Sequence, residues 1–349
     1  MTVSVLDAHL PLVKNLSLKA LLAQSANTVS YTHELDQVRA LMLDALQGVM
    51  KGPANSASQY QIDTRGSLLR ARLALASCAS FQCSQRYAIA AAASCELIHN
   101  ASLVHDDLLD GDQRRRGQPT VWKKHGEGVA LCAGDLLLCT AFAVAAGLED
   151  AHQSRLLTHH LAAMTGRVIV GQSIEIAPRD PGAWPRFRTY LDAARAKTVP
   201  LIQLPLMTGA IAANADERVQ DTIKRFAEAV GLAYQIIDDL DDLVEPEADI
   251  TSKVKSLHPY HAWHHHRGRQ HRGTQHRGKQ HRGKQEDGPQ LRVGKATRHA
   301  LAALQRARCQ LAILEKQIPI PITPSLGPLL MKLERRAQTH RHASRLNGE

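Results

Sequence analysis

Along most of this chain apolar residues recur at intervals of three and four, the spacing that lays one helix face against a core. Over 31–50 the stripe runs through Leu35, Val38, Leu41, Leu43, Leu46 and Val49, and Lys51-Gly-Pro53 reads as a stop signal. The same rhythm predicts helices over 66–80, 85–111, 128–147, 152–177, 186–213, 216–243, 295–317 and 325–340. Breaks fall at Gly117-Gln-Pro119, at Pro181-Gly182 and at Asn214-Ala-Asp216. Residues 1–30 are mixed and read as a short helix with a loose lead-in. Runs of β-branched residues are scarce. The pattern predicts an all-α fold built as a single large bundle.

Composition supports this reading. Alanine and leucine dominate and aromatics make up only 4% of the 349 residues, which favours helix. Charges and polar residues interrupt the apolar stretches before about 18 residues, so no integral membrane segment is expected. No basic-then-apolar leader with a small-residue cleavage site opens the chain. The six cysteines (Cys78, Cys83, Cys95, Cys132, Cys139 and Cys309) form no CxxC pair and read as buried thiols, which fits a cytoplasmic location.

Residues 261–288 stand apart. Four tandem pentads fill 266–285, from His266-Arg-Gly-Arg-Gln270 to His281-Arg-Gly-Lys-Gln285. With no apolar residue to offset ordering entropy, they are expected to be a disordered insert within one domain spanning 1–349. Histidine-rich and Gly-Arg tracts can bind metals or nucleic acid, but no aromatics interleave, and a neutral surface loop is the preferred reading. Seven positive charges and no acid lie in 261–285, so the net charge of +10 falls to +3 for the rest. A nucleic-acid-binding surface is not implied.

Chemistry concentrates in two acidic triplets. Asp106, Asp107 and Asp110 interrupt an apolar run and precede Arg114, Arg115 and Arg116; Asp238, Asp239 and Asp242 repeat the spacing downstream. On a helix, i and i+4 stack on one face and i+1 sits about 100° away. Carboxylates so close repel unless a cation lies between them. A hard ion such as Mg²⁺ suits them, completing its shell with water and phosphate oxygens, and the arginines offer forks for further phosphate oxygens. Either triplet alone could be a solvated face. Two of equal spacing look like two metal-binding walls of one cavity.

The strings DDLLDGDQRRRGQPT and AYQIIDDLDD resemble the two aspartate-rich motifs of the trans-isoprenyl diphosphate synthases, and the resemblance covers most of the chain apart from the insert. It implies the isoprenoid synthase type of helical bundle, with a central cavity where both triplets bind Mg²⁺ holding an allylic diphosphate. Lys197-Thr198 match a pair whose lysine contacts that diphosphate; Gln235 precedes the second triplet as in the family. Gln172 and Glu175 match a Gln-x-x-Asp segment. For isopentenyl diphosphate, the second substrate, the resemblance points to Arg70 and His99, while Arg115 or Arg116 join Lys197 in stabilising the departing allylic diphosphate. Ser67 stands where the family has lysine and Leu68 where it often has arginine, with Arg65 or Arg72 as candidates to compensate. The family's lysine beyond the second triplet has only Lys253 and Lys255 as weak matches.

The implied reaction is condensation of an allylic diphosphate with isopentenyl diphosphate by a homodimeric, Mg²⁺-dependent enzyme. Ala101 and Ser102, five and four positions before Asp106, are not aromatic. An unplugged tunnel at that level implies geranylgeranyl diphosphate or a longer product. The departures at Ser67 and Leu68 keep an alternative open: a terpene cyclase or a prenyltransferase to a non-isopentenyl acceptor on the same fold. A non-catalytic subunit partnering an active synthase is a third class, against which the two intact triplets argue.

Overall fold

The structure, a computed structural model, describes residues 30–48, 51–64, 66–177, 187–242 and 289–346. The lead-in over 1–29, Arg65, the Pro181-Gly182 break, Lys253, Lys255 and the pentad insert lie outside the described residues.

The first stripe forms α1 (Thr32–Gln47), with Leu35, Val38, Met42 and Leu46 turned inward. Pro53 opens a further helix, α2 (Pro53–Asp63), which the apolar pattern did not mark. Proline's fixed φ suits the first helical position, where the N–H it lacks has no helical partner to lose. After α3 (Leu69–Ser80), the helix α4 (Gln85–Asp110) starts at Ser84, whose side chain accepts from the Tyr87 N–H. It stops at Gly111, whose φ of 71° is left-handed. Ala90 to Ala93 are all buried, so neighbouring helices pack close to the α4 backbone.

The break at Gly117 becomes a two-stranded antiparallel ribbon, β1 (Arg114–Arg115) with β2 (Gln118–Pro119), followed by the short α5 (Val121–His125). Then come α6 (Glu127–Ala146), α7 (Ala151–Ile176), α8 (Phe187–Ala212), α9 (Glu217–Asp241), α10 (Pro289–Leu314) and α11 (Thr323–Leu346). Asp150 and Asp216 cap α7 and α9 by accepting backbone N–H groups.

The core falls into two parts. One is built from α1 to α4, α6 and α7, the other from α9, α10 and α11; α3 and α8 contribute to both. Pro200 and Pro205 lie inside α8. Each lacks the N–H that would bond the carbonyl four residues earlier, which leaves the Ala196 and Leu201 carbonyls without their helical donors. At the crossing of α7 and α8, a Cβ on Gly171 would sit 2.5 Å from the Ala196 carbonyl carbon, so only glycine lets α7 pass so near Lys197.

Two expectations change. Past Glu127, α6 carries a single charge, Asp135, and by length and composition it could cross a membrane; in the fold one face packs on α4. The cysteines are all free, but only Cys78 and Cys95 are buried, while Cys132 and Cys139 are exposed on α6.

Candidate active site

The C-terminal ends of α4 and α9 form two acidic walls. On the first, Asp106 lies 3.5 Å from the Lys197 ammonium of α8. Asp107 turns to the ribbon, where Arg115 grips both oxygens: Nε at 2.8 and 2.9 Å and a terminal nitrogen at 2.5 Å. Burial, only partly offset by Lys197, and the neighbouring Asp106 and Glu175 charges push Asp110 up to about 6. Burial disfavours the charged carboxylate, and Lys197 offsets only part of that cost.

On the second wall Asp239 accepts from the Tyr190 hydroxyl at 2.6 Å and from Gln235 Nε2 at 2.8 Å. Gln235 in turn accepts from the Thr198 hydroxyl, which ties the wall to the residue beside Lys197. Burial outweighs these donors and pushes Asp239 up to about 8. Asp238 takes Arg336 of α11 at 3.0 Å. Asp242, at the C-cap of α9, is exposed. Its neighbour Asp241 makes cross-helix contacts to Arg336 Nε at 2.8 Å and to His340 at 2.5 Å.

Glu175 of α7 links the walls. Its carboxylate holds Lys197 at 2.9 Å, and its charge raises the proton affinity of Asp106 and Asp110 on one side and of Asp239 and Tyr190 on the other. The Glu175–Lys197 pair thus lies within electrostatic reach of carboxylates on both walls. Burial works against the Lys197 ammonium, but Asp106, Glu175 and Asp110 outweigh it and keep it charged.

Beside the first wall lies a cavity of about 300 Å³. Ile98, Leu131, Leu138, Val168 and Ile169 line it and Asp106 borders it. Ser102 faces this space, whereas Ala101 is fully buried in the core of α4. Gln172 also lines it, with both amide atoms buried and unbonded.

A separate basic pocket opens at Gly66, Glu96 and Arg116 of the ribbon turn, with Arg70 of α3 and His99 of α4 within electrostatic reach of Arg116. Arg70 is 7% exposed and His99 9%, and Arg70 Nε and His99 Nδ1 have no hydrogen-bond partner. Burial, then the charges of Arg70, Arg116 and Arg115, hold the His99 imidazole well below its ordinary pKa, so it is neutral at pH 7. Glu96 is the buried counter-charge, its Oε2 accepting from the Ala71 N–H at 3.0 Å. Gly66 makes room for Arg116, since a Cβ there would sit 2.6 Å from a guanidinium nitrogen. Ser67 is exposed, and Arg72, a candidate to replace its missing charge, instead donates to the Ser67 carbonyl at 3.2 Å.

The family model for polyprenyl synthetase matches residues 53–287, two-thirds of the chain and both acidic walls. The chain belongs to the polyprenyl synthetase family. A short chain isoprenyl diphosphate synthase of Methanocaldococcus jannaschii is 36% identical over 166 residues, 48% of this chain and 50% of that protein. A geranylgeranyl diphosphate synthase of Mycobacterium tuberculosis is 34% identical over 198 residues, 57% of this chain and 56% of that one. The chain thus spans about half the length of the curated relatives it matches. Among solved structures, a decaprenyl diphosphate synthase from Rhodobacter capsulatus superposes with a TM-score of 0.70 at 20% identity, over 91% of this chain and 99% of that one. At that identity the likeness bears on the fold, and the fold is the all-α bundle of this family.

For a polyprenyl synthetase, several positions marked in the sequence are joined by contacts, Asp106 to Lys197, Thr198 to Gln235 and Gln235 to Asp239, while Arg70 and Arg116 act electrostatically on His99. Sequence reasoning missed Tyr190, Asp241, Arg336 and His340. Asp241 lies within the second acidic string but off its i, i+1, i+4 spacing, and no short motif carries Tyr190, Arg336 or His340, which act across helix packing contacts.

Proposed function

We propose that this protein condenses an allylic diphosphate with isopentenyl diphosphate, with Mg²⁺ held at the two acidic walls. The observation that carries this is the Lys197 ammonium held between Asp106 at 3.5 Å and Glu175 at 2.9 Å, beside an apolar cavity that Asp106 borders. Among the described residues no three carboxylate, imidazole or thiol groups converge as a finished metal cage. That fits Mg²⁺, which takes one or two carboxylates and fills its shell with water and substrate phosphate. The oxygen-only donors and the unneutralised Asp110 fit it too. Asp106, Asp107, Asp110, Asp238, Asp239 and Asp242 remain the proposed ligand set.

When bound, the ion supplies Lewis-acid stabilisation of the charge that grows on a departing diphosphate. Lys197, pinned by Glu175, is placed to donate to the same leaving group, and Arg115 to donate to a phosphate oxygen if Asp107 releases it. The allylic cation is quenched by the double bond of the second substrate, whose diphosphate sits on Arg70, His99 and Arg116. A proton then leaves to the released diphosphate. The growing chain extends into the cavity past Ser102, and we propose a product of twenty carbons or longer.

We also read the chain as one catalytic domain whose pentad insert joins α9 to its packing neighbour α10. A cytoplasmic homodimer is part of the same proposal. The neutral Ser67 favours a second reading, in which a cyclase or a prenyltransferase uses another acceptor.

Labelled isopentenyl diphosphate offered with allylic primers of several lengths separates the readings. Elongated labelled diphosphates are expected. Unlabelled hydrocarbon or alcohol would move the assignment to the second reading, and no turnover with Mg²⁺ would overturn both. Ser102→Phe is expected to shorten the product of active enzyme, and unchanged chromatographic product length would place the tunnel elsewhere.

A further inference from the structure

The basic pocket is short of charge for a diphosphate. Arg70 and Arg116 face the buried Glu96, His99 is neutral, Arg115 is spent on Asp107, and Ser67 adds nothing. Beside it, the Tyr234 ring of α9 carries a cation on each account: the Arg70 guanidinium lies 5.8 Å from its centroid and the Arg336 guanidinium 5.9 Å. Two guanidiniums near one ring repel, and here Arg336 is neutralised by Asp238 and Asp241. Asp238 is one of the carboxylates assigned to metal. Once a metal ion takes it, Arg336 loses part of its counter-charge while staying next to Arg70.

We propose that Arg336 is a ligand for the second substrate's diphosphate: parked on Asp238 and Asp241 without metal, it turns to the anion that Arg70 and His99 hold. This rests on the reading that isopentenyl diphosphate binds in the basic pocket. The side chain has the freedom to move, since it is 25% exposed and springs from a helix that packs on α9. Arg70 Nε and His99 Nδ1, both buried without a hydrogen-bond partner, are the polar atoms this proposal sets against the anion. Metal loading and second-substrate binding then reinforce one another, because each relieves the like charge that the other leaves.

The test is calorimetric titration of the full chain with isopentenyl diphosphate, with Mg²⁺ and with EDTA, for the wild type, Arg336→Gln, Arg336→Lys and the double variant Ser67→Lys/Arg336→Gln. Loss of one charge-assisted hydrogen bond predicts affinity about tenfold or more weaker for Arg336→Gln in Mg²⁺. In EDTA the wild type and Arg336→Gln are expected to bind equally. Arg336→Lys regains part of the loss. A lysine at 67, beside Gly66 and Leu68 at the Arg116 cavity, restores binding in the double variant. Equal affinity of wild type and Arg336→Gln in Mg²⁺ overturns the role of Arg336 alone. So does an equal loss for an allylic diphosphate, or a loss that lysine at 67 leaves unrepaired, either of which marks Arg336 as a clasp between α9 and α11. A wild type that binds an allylic diphosphate but not isopentenyl diphosphate overturns the underlying reading together with the proposal.

Discussion

The two acidic walls share one spacing and differ in almost everything else. Asp107 on α4 is gripped by Arg115, eight residues further along the same chain segment, so the first wall carries its own clamp. Asp238 and Asp241 on α9 are gripped by Arg336 and His340, which arrive from α11 nearly a hundred residues away. Asp110 holds its proton up to about 6 and Asp239 up to about 8. Equal spacing in sequence fixes which carboxylates share a helix face. What each one does is decided by the cation or hydroxyl that a neighbouring helix brings to it.

The largest effect should come from removing a carboxylate from either wall. Asp106→Ala and Asp238→Ala are each expected to lower kcat/KM by about a hundredfold or more, as for loss of a metal's carboxylate ligand. Steady-state assays with folded variants check this, and near-normal turnover from one of them would show that a single wall suffices. Gly171→Val probes the crossing that places Lys197 and Glu175 between the walls. Overpacking there is expected to cost about 1–3 kcal/mol in a denaturant titration, with activity lost beyond what the stability change explains.

The pH dependence sharpens the contrast. A raised carboxyl pKa means that protons compete with metal at pH values where an ordinary aspartate is bare. Mg²⁺ affinity should therefore climb with pH in two steps, near 6 for Asp110 and near 8 for Asp239, by about tenfold per unit for each carboxylate below its pKa. Asp239→Asn should erase the upper step and leave the lower one. A single step unaffected by that change would mean the walls do not differ as described. The smallest effect is expected at Asp242, which is exposed past the end of α9. Asp242→Asn should lower kcat/KM less than Asp238→Ala does, and an equal loss would show that the chain end of α9 closes over the substrate.

Much of this was legible in the apolar rhythm. Strong stripes such as Leu35, Val38 and Leu46 place α1, and the apolar rhythm over 85–111 places α4 to within a residue of its end. Pro53 misled, because the same residue that ends one helix can begin the next, and only the packing of α2 on α6 decides it. The ribbon at Arg114–Pro119 is too short to show a period. Within the site, the triplets announced themselves, and Lys197, His99 and Arg116 followed from resemblance. Tyr190 and Arg336 stayed hidden: one is a lone tyrosine in an ordinary helical stretch, the other one of many arginines near the C-terminus. Their partners are set by how α8 and α11 pack on α9, which no local pattern encodes.

The central claim is that one diphosphate is held between the two walls through metal. Crystals of the protein grown with Mn²⁺ and a non-reactive allylic thiodiphosphate, with the ions located by anomalous scattering, test it directly. The account predicts ions on both sides of one diphosphate, bonded to Asp106 or Asp110 from α4 and to Asp238 from α9, with Lys197 on the same phosphate group. Ions confined to one wall, or a diphosphate bound away from Lys197 with its tail outside the Ser102 cavity, would contradict it.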